Sequence, residues 1–110
     1  MGITKTDQFS LEENEIAIAL KALGHPARIA IINYLIEVNQ CVCGDIVSKI
    51  PLAQPTISQH LKELKNAGLI QGTIEGTSIC YCINPDGFEK IRFFFERFNQ
   101  HISLKKSTCC

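Results

Sequence analysis

A mainly α-helical domain carrying one β-hairpin is the fold class this sequence predicts, and three observations predict it. Apolar residues recur at helical spacing from Ile16 to Leu64. The period then changes to two strand-like runs on either side of Glu75-Gly76-Thr77, a turn signal. After Asn84-Pro85-Asp86 the helical spacing returns, with Phe88, Ile91, Phe95, Phe98 and Ile102 separated by 3, 4, 3 and 4 residues.

Each element has its own signal. Ser10-Leu11-Glu12-Glu13 is a capping box, and it opens a helix that places Ile16, Ala19, Leu20 and Leu23 on one face before Gly24 ends it. Pro26 suits a first helical turn, and the helix it begins runs to about Val38. That helix is apolar on most sides, as a central, buried one should be. A third, short helix is expected from about Cys43 to Ile50, and Pro51-Leu52-Ala53 is a turn. A fourth runs from Gln54 to Ala67 with Ile57, Leu61 and Leu64 inward and Gly68 as its stop. Short helix, tight turn, second helix is a helix-turn-helix. The runs Leu69–Ile74 and Ser78–Ile83 add a hairpin, or wing, so the architecture is a winged helix-turn-helix.

With 110 residues the chain makes one domain, small enough that a shared core between two copies would help it. We divide it into an arm (1–9), the folded domain (10–104) and a cysteine-containing tail (105–110). The 3-4-3-4 seam of Phe88, Ile91, Phe95, Phe98 and Ile102 could pack on its own domain. So many large side chains at the end of so small a fold point instead to a homodimer interface. Eleven basic and eleven acidic residues cancel, which weighs mildly against nucleic acid as a partner but leaves room for a local basic face. No apolar run approaches the ~20 residues of a membrane span, and MGITKTDQFS has no apolar segment of the secretory kind. Six cysteines without an export signal suggest reduced thiols in the cytoplasm, some of them ordinary small core residues.

Burying Ile57, Leu61 and Leu64 fixes what the fourth helix shows to solvent. Gln59 and Lys62 point away from the core, flanked by Thr56, Ser58 and Glu63, with Gln54 at the leading end. Gln bonds adenine bidentately, while Ser and Thr donate or accept as required. Lys62 and Lys65 suit phosphates. The wing tip at Gly76 and Thr77 is a second DNA-proximal point. On an isolated helix such a face is merely solvated; the preceding tight turn and the following wing favour duplex DNA. His60 falls nearer the core, where a structural hydrogen bond is expected.

Ala22-Leu23-Gly24-His25-Pro26-Ala27-Arg28-Ile29, Cys41-Val42-Cys43 with Asp45-Ile46, Gln54 to Leu64, and Ala67-Gly68-Leu69-Ile70 together resemble the arsenic-repressor (ArsR/SmtB) family of metal-sensing regulators. The resemblance runs from about residue 13 to residue 102. It implies a homodimeric repressor that binds an operator and lets go when an inducer binds, and it implies no enzyme. Ala53 stands where the family often has a capping Ser, an absence worth about 1 kcal/mol to the fourth helix.

Soft thiolates select soft ions, so Cys41 and Cys43 are candidate ligands for trivalent arsenic or antimony, or for a soft divalent ion such as Cd, Pb or Zn. A pyramidal arsenic site wants three sulfurs and a tetrahedral ion four. Cys109 and Cys110 are the first choice to complete the set. Cys80 and Cys82 are the second; they share a strand face opposite Ile79, Tyr81 and Ile83 and should point outward. An alternative keeps the fold and makes the switch redox, with disulfide or persulfide formation among the same thiols. A thiol oxidoreductase is disfavoured, since no Cys-x-x-Cys sits beside a βαβ pattern.

Overall fold

The computed structural model describes residues 6–76 and 78–105, and within them all side chains except those of Thr6, Cys43, Asp45, Glu75 and residues 103–105. A 3-10 turn at Thr6–Gln8 leads into α1 (Leu11–Leu23), α2 (Pro26–Val38), β1 (Val42–Cys43), α3 (Asp45–Lys49) and α4 (Gln54–Asn66). β2 (Ile70–Glu75), β3 (Ser78–Ile83) and α5 (Pro85–Lys105) complete it. The three strands form one antiparallel sheet in the order β1-β3-β2. The mainly helical class and the hairpin wing are therefore as expected.

The capping box at the start of α1 is present in both directions. The Glu13 N–H donates to Ser10 Oγ and the Ser10 N–H donates to Glu13 Oε1, both at 3.0 Å. α4 starts at Ala53 with no side-chain cap, as the missing hydroxyl implies. Ile31, Leu35, Ile57, Leu64 and Leu69 are fully buried where α2, α4 and the base of the wing meet. α5 lies along α1, with Lys90 paired to Glu15 and Arg97 Nη2 donating to Glu12 Oε1 at 3.1 Å. Both pairs are exposed and add little stability.

Where the chain leaves the wing, Asn84 ties it back to the end of α4. Its Nδ2 donates to the Gly68 carbonyl at 2.9 Å and its backbone N–H to the Leu69 carbonyl at 3.0 Å. Gly87 then rides directly over Gly68. A Cβ on Gly87 would sit 1.8 Å from the Gly68 carbonyl oxygen, so no side chain fits there.

Two expectations need correction. Cys43 does not open the third helix. It belongs to β1, whose two residues pair with β3, and the helix starts only after Gly44, which takes φ 84°. The last-helix seam also splits. Phe88 and Ile91 pack into the protomer's own core, whereas Phe95, Phe98 and Ile102 are exposed.

His60 has the structural role expected of it. It is buried, and its Nδ1 accepts from Arg28 Nε at 3.0 Å while Arg28 Nη1 donates to the Ala22 carbonyl at 3.1 Å. One guanidinium thus joins α1, α2 and α4. Burial, then the nearby His25 and Arg28, hold the His60 pKa below the ordinary value of about 6.5. The neutral ring is the one that can accept from Arg28. Its contribution to stability is complete above about pH 6.5 and is lost as pH falls through the depressed folded-state value. The urea midpoint should therefore drop between pH 7 and pH 5. In His60→Gln, which keeps an acceptor and cannot titrate, that drop should shrink; an undiminished drop would assign the effect to other groups.

Candidate nucleic-acid interface and thiol pair

The inward side of α4 carries Ile57, His60, Leu61 and Leu64. That leaves Gln54, Thr56, Ser58, Gln59, Lys62 and Lys65 exposed along the opposite side, all six of the helix positions expected to read or hold DNA. Gln59 Nε2 donates to Glu63 Oε2 at 3.0 Å, so its amide is oriented along the outer face by a neighbour one turn on. Gly76 takes φ 65° at the exposed wing tip, the left-handed conformation a tight hairpin needs. Thr77, the other expected wing contact, lies outside the described residues.

The thiols are arranged differently from the expectation. Cys41 is joined in a disulfide to Cys82, 41 positions on in sequence, with Cα atoms 4.4 Å apart. The bridge ties the segment that enters α3 to the strand that leaves the wing. It borders a groove of about 320 Å³ lined by Leu35, Ile36, Asn39, Gln40 and Ile83 among others. Cys80 is also disulfide-bonded and is fully buried. Alternation on β3 holds as read, since Tyr81 and Ile83 pack against the core. The inference that Cys80 would face solvent does not hold, since that residue is fully buried and already bonded through sulfur. Ile79, assigned to the core trio, is exposed, since it lies near the tip of the wing beyond the reach of the helices.

Among the described residues no group of three or more His, Cys, Asp or Glu side chains is placed to hold a metal ion. The Cys43 side chain, Cys109 and Cys110 lie outside the described residues. The partner the structure gives Cys41 is on the wing, whereas the sequence put the tail first. The signal that could have found it is the repeated spacing, Cys-x-Cys at 41/43 and again at 80/82, which suits opposed strands.

A two-helix reader followed by a hairpin, on a three-helix support, defines a winged helix-turn-helix domain of the transcription-regulator class. The model of the bacterial regulatory protein, arsR family, matches residues 25–71. The chain is 42% identical over 72 residues to a helix-turn-helix-type transcriptional regulator of Methanocaldococcus jannaschii, covering 64% of this chain and 80% of that one. It is 44% identical over 62 residues to the SmtB repressor of Mycobacterium tuberculosis (strain H37Rv), covering 56% of this chain. It spans 45% of that repressor's length. The crystal structure of the transcriptional repressor BigR from Xylella fastidiosa superposes with a TM-score of 0.62 at 25% identity, covering 98% of this chain and 99% of that one. The chain belongs to the ArsR/SmtB family of winged helix-turn-helix transcriptional regulators, which are DNA-binding proteins and not enzymes. No helix among the described residues is long and apolar enough to cross a membrane.

Proposed function

We propose that this protein is a cytoplasmic, homodimeric repressor that grips operator DNA in the thiol form and releases it when Cys41 and Cys82 are oxidised to a disulfide. The observation that carries the reading is the Cys41–Cys82 bridge itself. It spans two parts that must both sit correctly on a duplex, the helix-turn-helix and the wing. In a reducing compartment the two thiols stay apart and the bridge forms as a signal. Forming it fixes α3 against β3 and removes the freedom with which reader and wing close on the groove. The resting soft-ion reading, with arsenic(III) or a soft divalent ion on Cys41, Cys43, Cys109 and Cys110, competes for the same Cys41 sulfur.

A mobility-shift titration tests this. Reduced protein should bind its operator at least ten-fold more tightly than peroxide-oxidised protein, and dithiothreitol should restore the binding. Equal affinity in the two states, with release by arsenite or cadmium instead, would return the assignment to the soft-ion inducer.

Sequence reading is assigned to Gln54, Thr56, Ser58 and Gln59, and phosphate contact to Lys62, Lys65 and the wing tip at Gly76 and Thr77. With net charge zero, the salt slope should be shallow, fewer than about six phosphates per dimer. Gln59→Ala should weaken operator binding by about 1–3 kcal/mol, the worth of a bidentate base contact, and leave random-sequence binding nearly unchanged. An equal loss on both would move Gln59 to the backbone contacts.

A further inference from the structure

We propose that Cys43 and Cys80 form a second cross-strand disulfide, an inner rung beside Cys41–Cys82, so that four cysteines make a two-rung ladder between β1 and β3 that opens in two separable steps.

The register carries the pairing. Val42 faces Tyr81 and Cys43 faces Cys80, so one position back Cys41 faces Cys82. Residues two apart on a strand lie on one face, which puts all four cysteines on the face opposite Val42 and Tyr81. In an antiparallel pair, opposed positions alternate between narrow and wide, and positions two apart are of one kind. The 4.4 Å between the Cys41 and Cys82 Cα atoms is the narrow kind. Cys43 and Cys80 therefore occupy the next narrow position, within the roughly 4.4–6.8 Å that a disulfide spans. Independently, Cys80 is already disulfide-bonded and fully buried, although it lies outside the contiguous hydrophobic core. The residue directly across from it is Cys43.

Access separates the rungs. Cys41 is exposed and borders the groove beside α2, whereas the Cys80 sulfur has no exposure at all. An attacking reductant reaches the outer rung first. Formation runs the same way for each pair. One thiolate attacks a peroxide oxygen, giving a sulfenic acid, and its partner thiolate then displaces the hydroxide. Each rung consumes one hydrogen peroxide and two thiol protons and yields two waters. The pairing stands apart from the proposed operator switch; only the order of opening bears on it.

The test uses the full chain with Cys109→Ser and Cys110→Ser, so that four thiols remain. After peroxide treatment and iodoacetamide in denaturant, the intact mass should show no alkylation, and a non-reducing gel should show no covalent dimer. Graded phosphine on the native protein, followed by the same trapping, should yield a two-label species mapped to Cys41 and Cys82 before any four-label species. Labels on Cys43 or Cys80 in the oxidised protein, or all four appearing together, would overturn the ladder. In a second variant, Cys41→Ser with Cys82→Ser, the peptide bearing Cys43 should remain cross-linked to the one bearing Cys80; free thiols at both would overturn it equally. If this map appears while operator affinity ignores peroxide, the ladder stands and the operator switch falls. The converse removes the ladder alone.

Discussion

Cys41→Ser with Cys82→Ser is expected to hold its operator through a peroxide challenge that strips the wild-type protein from the same DNA. In the absence of oxidant the variant and the reduced wild type should bind alike, because neither side chain lies on the outer face of α4. The bridge need only prefer the DNA-incompetent arrangement by about 1–3 kcal/mol, which is a shift in affinity of roughly 5–150-fold. Linkage makes the effect reciprocal, so in a thiol–disulfide redox buffer operator DNA should shift the Cys41–Cys82 equilibrium toward the thiols by a comparable factor. That second measurement needs no variant. A double mutant that still lets go of DNA at the wild-type peroxide dose would put the sensing thiols elsewhere, with the tail pair Cys109 and Cys110 next in line.

The other large effect concerns assembly. Phe95 and Phe98 stand 47% and 52% exposed on α5, beside Ile102 and close to Phe94, with ring centroids of Phe94 and Phe98 6.3 Å apart. We propose this aromatic patch as the centre of the dimer interface, with α1 alongside. Phe95→Ala with Phe98→Ala should cost several kcal/mol of dimer stability, as removal of buried aromatics does. Sedimentation at micromolar concentration should then find monomers. Because both rings are exposed in the protomer, the secondary structure of the monomer should survive, unlike the case of Ile91→Ala in its core. A variant that sediments as an unchanged dimer would place the interface away from α5.

The helices and the wing were legible because their signals are local. Ser10 and Glu13 lie three residues apart, Gly24 and Gly68 sit at helix ends, and the turn at Gly76 lies between two short runs. The inward place of His60 followed from helical periodicity alone, although its partner Arg28, 32 residues away, did not. β1 was not legible. Two residues are too few to show a period, and their partner strand lies some forty positions downstream. Without that strand, Cys41 and Cys43 read as the approach to a helix that begins at about Cys43, and Cys80 and Cys82 rank behind the tail as their partners. The seam on α5 is ambiguous for another reason. Spacings of 3 and 4 describe a helix face equally well whether it meets its own domain or a second copy. The tertiary packing, and not the spacing, decides that Phe88 and Ile91 turn inward and Phe95 and Phe98 do not.

The contact between Gly87 and the Gly68 carbonyl acts as a gauge. In the proposed dimer α4 would be the reader and α5 the axle about which two readers are mounted, and the two helices are referenced to each other where one glycine passes over the other. Asn84 clamps the same spot from the side. If α5 carries the dimer as proposed, the reach between paired readers, and with it the spacing of operator half-sites, depends on the absence of a side chain at residue 87. Even a methyl there would push the axle off its seat and mis-space the readers without altering a single atom that touches a base.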